Sequence, residues 1–493
     1  MTDTTATLDG AAPPIPAATE LAARNRLVIT LLLVSTFVVI LNETIMSVAL
    51  PRLTIDLGIS PSAAQWLTTA FLLTMATVIP VTGFLLQRLN TRPVFILAMS
   101  LFSAGTLISA AAPGFEVLLV GRIVQASGTA VMMPLLMTTV MTLVPPESRG
   151  RTMGFISIVI SVAPAIGPTV SGLILAVLPW RWMFILVLPI AIAALVLGGT
   201  RIPNVTTPRK APLDVLSVIL SALGFGGIVF GLSSLGEAAT HEPVIPAWVA
   251  LVVGAAALVV FIGRQLALQR KDRALLDLRT FASKNFSISV AMMAVSMMAL
   301  FGALILLPFY LQGVTGLTTL QTGLFLLPGG LVMGLCSPFV GALYDRHGPT
   351  PLVVPGAIAV SASLWILATI GPDTSIFVLL PAHLILMAGL ALTFTPLFSA
   401  GLGSLPMQLY SHGSAVVGTT QQVAGAAGTA LFIALMTNRS TTLAAGGPVD
   451  ATALAGGIQT AFVWGAAISL VAIAAAFFVR KPPAQAGAMP SGH

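Results

Sequence analysis

Glu43 is the one carboxylate of this 493-residue sequence that lies well inside an apolar run, the stretch from Leu27 to Pro51. Arg122 is the one base placed the same way. An ionisable group at membrane depth costs roughly 2.5–3.5 kcal/mol on insertion scales, so such a group marks a functional pathway and calls for a partner. The chemistry open to these two is proton exchange. A carboxylate that makes and breaks contact with a guanidinium binds its proton differently in two conformations, which is what coupling requires. One charge crossing 100 mV is worth ~2.3 kcal/mol, and a tenfold concentration ratio ~1.4 kcal/mol, so one proton is enough to drive useful work. The competing reading is a fixed ion pair that orients two helices.

Other side chains could join that site. His383, in the outer third of its span, is a possible second titratable group, although a lone histidine there is more often satisfied by a neighbour. Arg122, Gln125 and Thr129 fall on one helical face at offsets of three and seven. Asn42, Gln125, Thr129, Gln421, Gln422 and Tyr310 are the candidate residues of a substrate cavity. Interhelical hydrogen bonding is the plainer explanation of the glutamines. Met292, Met293, Met297 and Met298 cluster in one span and read as core or lipid-facing positions.

The elements that must position these groups follow from composition. The chain is 57% hydrophobic and 8% charged, and its apolar residues come in runs of membrane-spanning length rather than in amphipathic stripes. Fourteen spans are expected, near 27–50, 63–86, 93–112, 115–143, 153–178, 182–200, 214–235, 246–266, 286–312, 320–341, 351–370, 375–402, 415–437 and 458–479. Helices are the expected element, because lipid offers backbone groups no partner. Basic residues then set the topology. With the N-terminus inside, Arg24, Arg26, Arg88, Arg92, Arg149, Arg151, Arg201, Arg209, Lys210, Arg346, Arg480, Lys481 and the cluster Arg264–Lys284 are cytoplasmic. Only Arg52, Arg181 and Arg439 fall outside. Cys336 is the single cysteine, which rules out an intrachain disulfide.

The chain also repeats itself. Gly83-Phe84-Leu85-Leu86-Gln87-Arg88-Leu89-Asn90 after the second span matches Gly341-Ala342-Leu343-Tyr344-Asp345-Arg346-His347-Gly348 after the tenth, both at the inner face. Two parallel six-span halves with two spans inserted between them would produce this. The expected layout is a disordered cytoplasmic tail (1–26), a six-helix bundle (27–200), two inserted helices with a cytoplasmic loop (201–284), a second bundle (285–480) and a disordered tail (481–493).

With these motifs the chain resembles the major facilitator superfamily, specifically its fourteen-span drug:proton antiporter group. Leu41–Pro51 resembles that group's first-span motif, and Gly83–Arg92 the superfamily's loop motif. Leu118–Gly128, around Gly121-Arg122, is similar to the fourth-span motif. Ala163–Gly172, with Gly167, Pro168 and Gly172, resembles the fifth-span motif of exporters. Trp180–Phe184 and Gln421–Gly425 look like further marks of the group. The departures matter. Asn42 stands where the group usually has Asp, the acid coming one position later at Glu43, as in the lincomycin-efflux branch. One residue is about 100° of helix rotation, so Glu43 can face a different neighbour. Gln87 and Asn90 replace the loop motif's Asp and a Gly, whereas the second copy keeps Asp345 and Gly348. Val187 replaces a usual Asn.

The resemblance implies an all-α major facilitator fold with both termini cytoplasmic. It implies a proton-coupled exporter of amphipathic small molecules, working by alternating access in a bacterial cytoplasmic membrane. Glu43 and Arg122 would couple protons, and Gly83, Arg88, Arg92, Gly167, Pro168, Gly172, Asp345 and Arg346 would act in conformational change. No cofactor or metal is expected, the proton gradient being the energy source. The expected partners are an amphipathic substrate, protons and the bilayer, with no nucleic acid and a monomeric state. Export of lipids or their precursors, import, and a non-transporting sensor or scaffold are the alternatives. An enzyme is not expected: none of the four lysines follows a glycine, so there is no Walker A loop, and no His-Glu-x-x-His or Gly-x-Ser-x-Gly occurs.

Overall fold

The computed structural model describes residues 18–59, 61–204, 214–237, 246–445 and 447–482. Fourteen long helices carry them. They are α1 (Ala18–Leu57), α2 (Pro61–Arg88), α3 (Thr91–Ala110), α4 (Phe115–Leu143), α5 (Arg149–Val177), α6 (Trp182–Arg201) and α7 (Val215–Glu237). Then come α8 (Ala247–Leu268), α9 (Lys284–Gly313), α10 (Thr319–His347), α11 (Thr350–Leu367), α12 (Ile376–Gly403), α13 (Tyr410–Leu443) and α14 (Ala451–Ala476). No strand occurs among the described residues. Thirteen of these helices are long and apolar enough to cross a membrane. The exception is α13, whose apolar run is diluted by His412, Thr419, Thr420, Gln421, Gln422 and Asn438.

One boundary differs from expectation. Helix α1 begins at Ala18, inside the segment expected as a tail, because Glu20, Ala22, Ala23 and Arg24 are good helix formers that extend the apolar span. The expected tail residues 1–17 and 483–493 lie outside the described residues, as do 205–213 and 238–245 of the inserted segment.

The internal repeat is visible as a packing pattern. Helix α1 packs on α4 and α6, α3 on α4 and α6, and α2 on α4. The same list shifted by eight recurs: α9 on α12 and α14, α11 on α12 and α14, and α10 on α12. Contacts between the two sets are paired likewise, α5 on α10 with α13 on α2, and α4 on α13 with α12 on α5. The α5–α10 seam is close because glycines line it. A Cβ added to Gly341 would sit 2.0 Å from the Gly150 carbonyl oxygen.

The inserted pair α7–α8 lies against one seam, since α7 packs on both α2 and α13 while α8 packs on α7. Asp214, just before α7, clasps Arg264 with both oxygens, at 2.7 Å to Nε and 2.8 Å to Nη2. The Ser217 hydroxyl donates to the same carboxylate. Gln265 ties this clasp to the following loop, donating to Ser217 at 2.7 Å and accepting from the Leu275 N–H at 2.8 Å. The Arg264 guanidinium is the main reason the Asp214 carboxyl is pushed down to about 2. A depressed carboxyl stabilises the fold above its unfolded pKa of ~4 and loses that contribution as pH falls through the folded value. Thermal unfolding of Asp214→Asn should therefore fall below wild type at pH 6–7, and the two should converge toward pH 2. A gap that persists unchanged at pH 2 would count against this role.

Candidate functional site

Where the two halves meet they enclose a cavity of about 460 Å³. Helices α1, α2, α4 and α5 line one wall, and α9, α10, α12 and α13 the other. Its surface is largely apolar, with Met75, Met132, Met133, Met297, Met333 and Met387 prominent beside Phe301. Methionine is unbranched and polarisable, and such walls adapt to ligands of varied shape. The polar interruptions among its lining residues include Glu43, Thr129, His383, Gln421 and Gln422.

Glu43 therefore faces the cavity from α1. Arg122 does not. It lies behind that wall, 1% exposed, and among the described residues it forms no ion pair with Glu43. The pairing expected of these two intramembrane charges is thus not a direct contact in this conformation. The reason is the one-residue shift: Asn42, about 100° round α1, points to Arg122 instead and accepts from Nη1 at 3.4 Å. Arg122 Nη1 also donates to Gln125 Oε1 at 2.7 Å, and Gln125 Nε2 donates to Thr106 Oγ1 at 2.8 Å. Its guanidinium carbon sits 4.1 Å from the centre of the Phe71 ring, while Nε has no hydrogen-bond partner among the described residues. A guanidinium over a buried ring face gains ~0.5–2 kcal/mol. Among the described residues, the hydrogen-bond and ring partners of the cation are all neutral groups.

Three expected cavity residues are thereby corrected. Asn42 and Gln125 are buried in the Arg122 network rather than exposed to the cavity. Tyr310 is fully buried in α9, and its hydroxyl donates to the Gly371 carbonyl at 2.6 Å, closing off a loop end. Thr129, Gln421 and Gln422 are on the wall. Gln421 Nε2 has no hydrogen-bond partner among the described residues, and Gln422 Nε2 lies 3.8 Å from the Met75 sulfur. His383 is on the opposite wall from Glu43, its Nε2 3.3 Å from the Leu326 carbonyl oxygen and its ring stacked on Phe325. Met292 and Met293 are core, and of the four clustered methionines Met297 alone reaches the cavity.

Sequence reasoning missed Phe71 and Thr106. The available signal was the spacing of Phe71, Met75 and Ile79 on α2, which places an aromatic ring on the face that meets α4. Only the packing of α2 and α3 on α4 tells that the buried cation lies under that face.

The sequence profile of the Major Facilitator Superfamily matches residues 32–429. The chain belongs to that superfamily. It is 40% identical over 459 residues to a lincomycin resistance protein, LmrB, of Listeria monocytogenes, covering 92% of this chain and 96% of that one. It is 30% identical over 401 residues to a multidrug resistance protein B homolog of Mycobacterium tuberculosis, covering 80% and 73%. Among solved structures, a double-Trp mutant of XylE superposes with a TM-score of 0.67 at 16% identity, covering 95% of this chain and 97% of that chain. The human organic anion transporter MFSD10 superposes with a TM-score of 0.66 at 16% identity, covering 92% and 99%. These last two establish the fold alone. The protein is thus a multi-pass membrane transporter of the superfamily.

In this superfamily member the two loop-motif copies sit at the same end of the two seams and differ in chemistry. Asp345 accepts from the backbone N–H of Gly150 at 2.7 Å and of Arg151 at 2.9 Å, capping the positive end of α5. Gln87, its counterpart, reaches Ser411 Oγ at 3.1 Å and the ring of His412 at the start of α13. Gly83 lies against Ser411, His412 and Ala415. Arg88 stacks over Phe84, Arg92 and Arg346 are exposed, and the Arg92 backbone donates to Asn204. Arg149 adds a tie, donating to Tyr410 Oη at 3.3 Å and to the Met141 carbonyl at 2.9 Å. In the fifth-span motif, Gly167 packs against Thr44 of α1, and Gly172 faces open space. The side chain of Pro168 lies outside the described residues.

Proposed function

We propose that this transporter is a proton-coupled exporter of amphipathic small molecules, working by alternating access. The observation that carries this reading is the cavity itself, an apolar, methionine-rich chamber in which, among the described residues, Glu43 is the one lining carboxylate and no lysine or arginine is on the wall. A carboxylate so placed can take a proton or meet a substrate, while Arg122 behind the wall biases it. The names of the relatives support drug efflux, and lincomycin is the first substrate to try. The ties of Asp345, Gln87, Arg149 and Ser157 (2.8 Å to Thr395) join the halves toward the arginine-rich face, which fits an outward-facing state.

We place α13 across the membrane as the fourteenth span. At 34 residues it is ~50 Å long, ample for a bilayer, and its glutamines face the cavity rather than lipid. Both termini are then cytoplasmic, in keeping with the distribution of arginine and lysine. The proton gradient supplies the energy without a cofactor. The transporter acts as a monomer in a bacterial cytoplasmic membrane, without nucleic-acid partners.

The deciding experiment is lincomycin flux in proteoliposomes under an imposed pH gradient. Flux that vanishes when the gradient is collapsed is expected. Flux indifferent to the gradient would refute coupling, and no flux at all would favour a sensor or scaffold.

A further inference from the structure

We infer that Phe71 is a positioning residue for proton coupling, its ring holding Arg122 away from the Glu43 carboxylate. The inference rests on the proposed proton coupling. Arg122 is buried, faces the ring at 4.1 Å and meets neutral hydrogen-bond acceptors only. Its Nε has no hydrogen-bond partner among the described residues, so on that edge the ring beneath it is what fixes the guanidinium plane. Phe71 is itself 1% exposed and packed with Met75, Ile79, Ala126 and Ala130, so the ring cannot swing away. Met75 and Ile79 reach the cavity, so the same face of α2 serves both the cation and the wall.

Among the described residues, no other charge competes for this role. Of the helices packed on α4, α1 brings Glu43, and the remaining charged residues of α1, α2, α3, α5 and α13 lie toward their helix ends. From α12, His383 lies on the far wall of the cavity. Without the ring, Arg122 is free to turn toward the one carboxylate in its surroundings. A direct ion pair would hold Glu43 ionised and make its proton harder to load.

The test compares wild type, Phe71→Leu and Phe71→Tyr in the proteoliposome flux assay across pH, with melting temperature as the measure of folding. Leu keeps apolar bulk without a π face, and Tyr keeps the ring. The pH of half-maximal flux should move toward acid by about one unit in Phe71→Leu and stay at the wild-type value in Phe71→Tyr. If Phe71→Leu unfolds, Phe71→Met takes its place with the same expectation. A gradient-driven wild type beside an unmoved Phe71→Leu, or an equal shift in Phe71→Tyr, would overturn the positioning role alone. A wild type without gradient-driven flux would overturn proton coupling and this inference together.

Discussion

Replacing Glu43 by Gln should abolish gradient-driven flux, to a tenth of wild type or less, while leaving the protein folded. Gln is nearly isosteric and keeps hydrogen-bonding capacity, but it cannot load or release a proton. The substitution also removes an ionisable group from a partly buried site, and at membrane depth that group carries a penalty, so stability should hold or rise. The loss should therefore appear in flux with no fall in melting temperature. Glu43→Asp, which keeps the carboxyl on a shorter arm, should retain part of the coupling. The double variant Asn42→Asp with Glu43→Gln is the sharper comparison. It restores an acid one position away, but at a residue that points to Arg122 at 3.4 Å and not into the cavity. Such an acid would be locked in an ion pair, so no rescue is expected. Gradient-driven flux in Glu43→Gln at the wild-type rate would remove Glu43 from the mechanism, and full rescue by Asn42→Asp would show that cavity exposure is not what matters.

Gly341→Ala should stop transport by a different route. The added Cβ would lie 2.0 Å from the Gly150 oxygen, 2.6 Å from its carbonyl carbon and 2.9 Å from Arg151 Cα. All three are backbone atoms, so no side-chain rotation relieves the clash. The α5–α10 seam must part, and with it go the two bonds from Asp345 to the N-terminus of α5. A state that needs this seam closed becomes inaccessible, and turnover should fall tenfold or more with the protein still inserted and folded. The matched control is Gly263→Ala on α8, where a Cβ meets nothing within 4 Å and transport should be unchanged. Accessibility of a cysteine introduced beneath the seam, read by a membrane-impermeant maleimide from the arginine-rich side, should rise in Gly341→Ala. Wild-type turnover with wild-type accessibility would show that the close seam is dispensable.

The two variants probe parts of the site that differ in legibility. Glu43 was visible because a carboxylate inside an apolar run is costly wherever the helix is turned. Gly341 was visible only as half of a repeat. That it meets Gly150, farther away in sequence than the whole length of the first bundle, depends on how α5 and α10 cross. The expectation of a Glu43–Arg122 contact rests on both charges lying inside apolar runs, and position along a run is a single coordinate. Rotation about α1 is the other, and it turned Asn42 to the arginine and Glu43 to the cavity. Tyr310 was misplaced for the same reason: a polar aromatic near a helix end suits a cavity mouth or a loop contact equally, and its hydroxyl took the Gly371 carbonyl.

Sequence by itself determined the membrane-spanning character, the number and approximate place of the long helices, the doubled motif and the two charges inside apolar runs. These are sums or repeats along one dimension, and hydropathy, charge and spacing report them directly. Only the tertiary structure decided which side chains share the cavity, that Arg122 rests on Phe71 rather than on a carboxylate, and that glycine backbones seal one seam. Each of those turns on helix rotation and crossing, where one residue is 100° and a single methyl group separates contact from clash.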